Sequence, residues 1–254
     1  MKNMNDTEIS WTEKTWNPVT GCTKHSEGCR NCYAETMARR LKAMGAKGYE
    51  DGFKVTLHPE RLGEPLKLKG RNMVFVCSMG DLFHEDVPCD FIDGVLEVIS
   101  KTPNNTYQIL TKRADDMRMY FKLLEESSTR YIPGNLWLGV TVENRETKER
   151  IGCLRDIETC AVRFLSCEPL LEDLGELDLR GISWVIVGGE SGAKARPMKE
   201  EWVLNIRRQC EKQGVPFFFK QWGTWGADGV RRDKKANGFL LQGQKFQQYP
   251  KDGE

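Results

Sequence analysis

Six short apolar runs, each broken off by small or polar residues, constrain this chain more than any other feature. They are NMVFVCSMGDLF (72–83), TYQILTKR (106–113), LWLGVTVEN (136–144), VRFLSCEP (162–169), SWVIVGGESG (183–192) and VPFFFKQWG (215–223). Rich in Val, Ile, Leu and Phe, they do not alternate cleanly, which is the pattern of strands covered on both faces of a parallel sheet. Helical spacing fills the gaps. DFIDGVLEVISKT (90–102) sets Phe91, Val95, Val98 and Ile99 near one face. EEWVLNIRRQCEKQG (200–214) does the same with Trp202, Val203, Ile206 and Cys210, then stops at Gly214, a residue type that caps helices. Strand and helix alternating at roughly 30-residue intervals is the βαβ signature. With a first strand near EKTWNPVT (13–20), six or seven units result. The class is α/β, either an open doubly wound sheet or a full or partial (β/α) barrel.

A chain of 254 residues can form one large α/β domain. We assign it residues 1–225. The stretch 226–254 is polar and Gly-rich, an appendage that is either a hairpin cap around GFLLQGQKFQQYP (238–250) or a disordered tail. No apolar run reaches the ~18 residues that span a bilayer, and the first residues lack the apolar core of a signal peptide. The expected compartment is the cytoplasm, and no membrane partner is expected. A net charge of +1 does not support extended duplex binding.

Nine cysteines are many for such a chain, and without a secretory signal they point to metal or redox chemistry. Three of them, Cys22, Cys29 and Cys32, fall in NPVTGCTKHSEGCRNCYAE (17–35) with the spacing C-x6-C-x2-C. Two metal readings compete. Cys22, His25, Cys29 and Cys32 would close a tetrahedral Cys3His zinc site, as in a non-catalytic phage adaptor or nucleic-acid-binding protein. Alternatively, the three cysteines hold three irons of a [4Fe–4S] cube and leave the fourth without a protein ligand. The loop follows the first strand, and active sites of parallel α/β folds lie at strand C-terminal ends. An open metal there has room to bind a ligand. Cys153 and Cys160 repeat the x6 gap, but on a helix they are expected to face the core.

TWNPVTGC and the cysteine motif ending in CYAE, with CSMGDLF, ILTKR, LGVTVEN, FLSCEPL, VIVGGESG and FFFKQWG, together resemble the phage and prophage family of three-cysteine-motif proteins. That family is grouped with the radical S-adenosylmethionine (SAM) enzymes, with the spore photoproduct lyase group a distant relative. The resemblance covers about residues 10 to 225. The first gap is longer than the C-x3-C-x2-C commonest in the group. What the resemblance implies is a partial (β/α)6 TIM-like barrel of parallel strands, with the cluster after the first strand. It also implies SAM chelated at the open iron and reductively cleaved to methionine and a 5′-deoxyadenosyl radical that takes hydrogen from a substrate. An electron donor of flavodoxin or ferredoxin type would supply the electron, and the outcome would be an isomerase or lyase reaction. Phage association and the lyase likeness suggest a nucleobase, nucleotide or modified base in DNA as substrate; if the chain is phage-encoded, it works in the host cytoplasm.

On this reading, polar residues past each strand are the site candidates. Tyr33, Ser78, Gly80, Asp81, Lys112, Arg113, Glu143 and Asn144 are expected to bind the cofactor. Gly80 would allow close backbone approach to the methionine amino group, Lys112 and Arg113 would meet a carboxylate, and Glu143 would hold the ribose hydroxyls. Asn144 could equally cap a helix. Glu168 and Glu190, on neighbouring strand ends, suit orienting a substrate or moving a proton, and either could instead pair with Arg196 or Lys220. Arg196, Lys220 and Trp222 are expected to contact substrate.

Overall fold

The structure, a computed structural model, describes residues 5–127, 132–157 and 161–250. Cys160 lies outside them. The chain divides into two compact units.

The first unit comprises Met1–His25, Cys32–Leu138 and Asp156–Ala161. It contains β1 (Asn5–Asp6), β2 (Lys14–Trp16), β3 (Val19–Thr20), α1 (Tyr33–Ala43), β4 (Thr56–Leu57), β5 (Met73–Val76), α2 (Cys89–Ser100), β6 (Thr106–Thr111), α3 (Ala114–Glu125) and the first half of β7 (Leu136–Thr141). Its strand order is β1-β2-β5-β6-β7, with β3 and β4 forming a separate antiparallel pair. β2 pairs parallel with β5 (Trp16 opposite Val76) and β5 with β6 (Val76 opposite Ile109). α2 buries Ile92, Val95, Leu96, Val98 and Ile99, the stripe that seats a helix on a sheet. Phe91, expected in that stripe, is only half-buried, and Ile92 takes its place. Trp16, Tyr107, Met117 and Phe121 are almost wholly buried, each contributing roughly 1.5–3 kcal/mol.

The second unit comprises Ser26–Asn31, Gly139–Arg155 and Val162–Glu254. It contains the second half of β7, α4 (Arg150–Arg155), β8 (Val162–Cys167), β9 (Trp184–Gly188), α5 (Glu200–Gln213), β10 (Phe217–Gln221) and α6 (Lys234–Asn237). The order is β7-β8-β9-β10, and the β8–β9 and β9–β10 pairs are parallel. All six residues of β7 and all five of β9 are buried, as strands covered on both faces must be. Gly139 explains one break in the apolar run: a Cβ there would stand 2.4 Å from the Phe164 ring. α5 ends at Gly214 in the left-handed conformation (φ 69°), as its position in the sequence implies.

Residues 238–250 do not trail away. Leu241 and Gln244 exchange both backbone hydrogen bonds around Gln242 and Gly243, each at positive φ, a two-residue hairpin turn. Phe246 O accepts the Phe219 N–H at 2.7 Å, Gln247 bridges antiparallel to Phe218, and Gln248 O accepts the Trp184 indole N–H at 2.8 Å. Among the described residues no helix is long and apolar enough to cross a membrane.

Candidate functional site

In the first unit the chain leaves β2 at Asn17, whose side-chain oxygen accepts the Met79 N–H at 2.9 Å and the Ser78 hydroxyl at 3.2 Å. Gly21 donates to Met79 O at 2.8 Å and bridges Gly80. Gly21 has φ +83°, and a Cβ on it would stand 2.1 Å from Lys54 O; one on Gly80 would stand 3.0 Å from Gly21 O. Only glycine lets these two backbones approach so closely. Tyr33, exposed at the start of α1, donates its hydroxyl to Ser78 O. The stretch holding Ser78, Gly80 and Asp81 is thus fastened beside the start of the cysteine segment.

Asp81 is buried and turned inward. The Thr111 hydroxyl lies 2.8 and 2.9 Å from its two oxygens, and it accepts the Phe83 and Lys112 N–H groups at 3.1 and 3.4 Å. Its neighbour Arg113, also buried, reaches the cysteines: Nη1 donates to Cys22 Sγ at 3.5 Å and Nη2 to Thr23 Oγ1 at 2.7 Å. His84 Nε2 lies 2.8 Å from the same Thr23 hydroxyl, and the Asp86 N–H points to Nδ1 at 3.1 Å. The half-buried Lys112 has no hydrogen bond or ion pair at its ammonium among the described residues. The two adjacent cations therefore differ in kind, one committed and one available.

In the second unit the same cysteine segment is gripped again. Residues Glu27–Cys29 form a single 3-10 turn. Glu143, fully buried just past β7, accepts the Ser26 hydroxyl and the Gly28 N–H on Oε1, and Arg150 Nη1 at 2.9 Å on Oε2. A buried carboxylate is tolerated only with such compensation. Asn144 Oδ1 accepts the Thr147 N–H at 3.1 Å, just ahead of a 3-10 turn over Glu146–Glu149.

Glu190, past β9, is held by the Arg196 fork (2.9 Å from Nε to Oε2, 2.7 Å from Nη2 to Oε1), by the Arg196 N–H at 2.8 Å and by Asn31 Nδ2 at 3.1 Å. Burial pushes its acidity toward the neutral form, but the Arg196 and Asn31 hydrogen bonds outweigh it and hold the carboxyl below the usual range. Arg196 also donates to Glu27 Oε1 at 2.9 Å and to Glu27 O at 3.1 Å. Two buried carboxylates thus anchor residues 26–31.

Glu168 is paired elsewhere, with Lys220 Nζ at 2.8 Å, both side chains slightly under one-fifth exposed. The Glu168–Pro169 peptide is cis. The two carboxylates read together from sequence therefore each have a separate cation. Trp222 is buried, its indole N–H donating to Leu240 O at 2.8 Å and its ring edge-on to Phe219, so it packs against the 238–250 segment.

Cys22, Cys29 and Cys32 are partly exposed thiols. Among the described residues no three His, Cys, Asp or Glu side chains converge on one point as ligands of a single ion. A [4Fe–4S] cube with one open iron takes three thiolates, and the segment offers three. The donor set thus fits a cluster with one open iron. Asn17, Thr23, Ser26 and Asn31 lie inside the quoted cysteine segment but had no role assigned from sequence, and Arg150 lay outside every motif.

A protein-family profile described as "Protein of unknown function (DUF5131)" matches residues 6–250. No curated protein matches the sequence. Solved structures of spore photoproduct lyase variants are similar in fold. Two of them align at 14% identity and TM-score 0.50, covering 91% and 93% of this chain and 70% and 73% of theirs. A third, holding dinucleoside spore photoproduct, aligns at 13% identity and TM-score 0.50 over 83% of this chain. This chain spans 64% of the length of that lyase chain. At such identity the likeness concerns the fold, an α/β partial barrel of parallel strands and helices, as the resemblance to the radical SAM group implies.

Proposed function

This chain belongs to the DUF5131 family, and from that premise we propose that it is a radical SAM enzyme. The observation that carries the reading is the C-x6-C-x2-C segment, held by Arg113 in the first unit and by Glu143 and Glu190 in the second. Cys22, Cys29 and Cys32 would hold a [4Fe–4S] cluster. When bound, that cluster supplies an open iron for SAM and the electron that cleaves its sulfonium to give a 5′-deoxyadenosyl radical.

The chain's own residues supply placement. Glu143 and Glu190 hold residues 26–31, which carry Cys29, through Ser26, Gly28 and Asn31. Lys112, with its ammonium uncommitted, is our candidate partner for the SAM carboxylate, and Tyr33 and Ser78 line the same stretch. The Glu168–Lys220 pair, partly open to solvent past β8 and β10, is the candidate for orienting substrate, with Lys220 Nζ holding a proton against Glu168 Oε2.

The proposed substrate class is a nucleobase, free, in a nucleotide or exposed in DNA. The dinucleoside held by the structurally similar lyase supports that class. The likeness of the motifs to phage and prophage three-cysteine-motif proteins points the same way. A low-potential carrier of flavodoxin or ferredoxin type would donate the electron.

The test is anaerobic iron–sulfide reconstitution followed by dithionite and SAM. The expected product is 5′-deoxyadenosine, with deuterium carried into it from the labelled nucleoside that is the substrate. A fully loaded protein that forms none would overturn the proposal.

A further inference from the structure

We propose that Arg113 is a positioning residue for Cys22, a buried cation whose hydrogen bond to the sulfur sets the electron affinity of the metal group held there. This deepens the cluster reading and rests on it.

Arg113 is 6% exposed, a buried guanidinium. A buried charge needs compensation, and the partners present supply it incompletely. Thr23 offers a hydroxyl and a carbonyl, both neutral, at 2.7 and 3.5 Å from Nη2. The one carboxylate nearby, Asp81, stands 3.8 Å from Nη1, and Thr111, Phe83 and Lys112 already crowd it. Cys22 Sγ, at 3.5 Å, is nearer to Nη1 than Asp81 is. The guanidinium is therefore built to face a second anion, and an iron-bound thiolate is that anion.

The other two cysteines have no such partner. Cys29 Sγ has the neutral Ser26 hydroxyl at 4.0 Å, and Cys32 Sγ has no hydrogen bond among the described residues. N–H···S hydrogen bonds and nearby positive charge favour the reduced, more negative state of an iron–sulfur group. The Cys22 corner is where this chain would apply that bias. Lys112, one residue earlier, is left for a ligand, so the neighbouring cations divide the work.

The full chain is reconstituted anaerobically, and the midpoint potential is measured by EPR-monitored titration. Arg113→Gln is expected to load iron and sulfide as the parent does and to titrate at a more negative potential. Arg113→Lys, which restores the charge without the fork, should recover most of the shift. An unchanged potential and EPR signal in a loaded Arg113→Gln protein would overturn the proposal. Should that variant fail to fold, Asp81→Asn tests the same field with opposite sign: it must move the potential upward, and no movement sinks the idea. A parent protein that takes up no iron and sulfide overturns instead the cluster reading.

Discussion

Gly28 donates its backbone N–H to Glu143 Oε1 at 3.3 Å, a contact that joins positions 115 residues apart. Because Arg150 occupies the other oxygen in a fully buried pair, Glu143 cannot leave without stranding a cation. Glu143→Ala should therefore cost about 3–5 kcal/mol in equilibrium denaturation, well beyond a typical single substitution. A loss below ~1 kcal/mol would mean water reaches Arg150.

Backbone approach matters as much as charge here. A Cβ on Gly28 would stand 2.9 Å from Glu143 Oε1, so Gly28→Ala should cost about 1–3 kcal/mol by overpacking and reduce iron uptake. Gly21→Ala should be worse, because Lys54 O blocks the space and φ is positive. Thermal melting of the two variants gives the order directly.

Acid should loosen the second unit through Glu190. Its folded carboxyl is held below the ordinary Glu value of about 4.3, so the stabilisation is full above that value and is lost as pH falls through it toward the depressed one. Glu190→Gln should flatten that part of the stability–pH curve. A curve that keeps its slope in the variant would assign the acid sensitivity to other carboxyls.

Thiol reactivity should split by burial. Cys77 and Cys210 are pushed up to about 12 by desolvation, and Cys167 is raised further by the same cause. Native metal-free protein at pH 8 should be alkylated at Cys22, Cys29, Cys32 and the exposed Cys89, and not at these three. Peptide mapping reads the outcome.

Lys220→Met separates packing from function. The pair with Glu168 is partly hydrated, so its loss should cost about 1 kcal/mol or less. Hydrogen transfer from substrate into 5′-deoxyadenosine should fall about tenfold or more, a change of ~1.4 kcal/mol in barrier. Equal losses in both measurements would make the pair structural.

The α/β class was legible because period and burial agree: β7 and β9 are apolar throughout and wholly buried. Gly214 was legible because helix ends leave a local chemical mark. The cysteine segment was legible as spacing alone. What sequence could not reveal is where carboxylates point. Glu143 read as a ribose-binding group and Glu190 as a substrate-orienting one because they follow strands; both are held by residues 26–31, Glu143 together with Arg150 and Glu190 with Arg196, the pairing weighed for it from sequence. Arg113 and Lys112 look alike in sequence and differ in the structure by burial and by partners. Trp222 read as a substrate contact and is instead packed under the 238–250 segment.

That segment has a consequence for solubility. Unpaired N–H and C=O groups along an outermost strand invite another chain to add itself, and Phe217, Phe218 and Phe219 would make a sticky template. Residues 246–248 occupy those groups intramolecularly, and Arg207 lies 4.0 Å over the Phe246 ring, pinning the cover down. A chain cut after residue 225 would present this aromatic rim to its neighbours and gather into oligomers before any chemistry could be assayed.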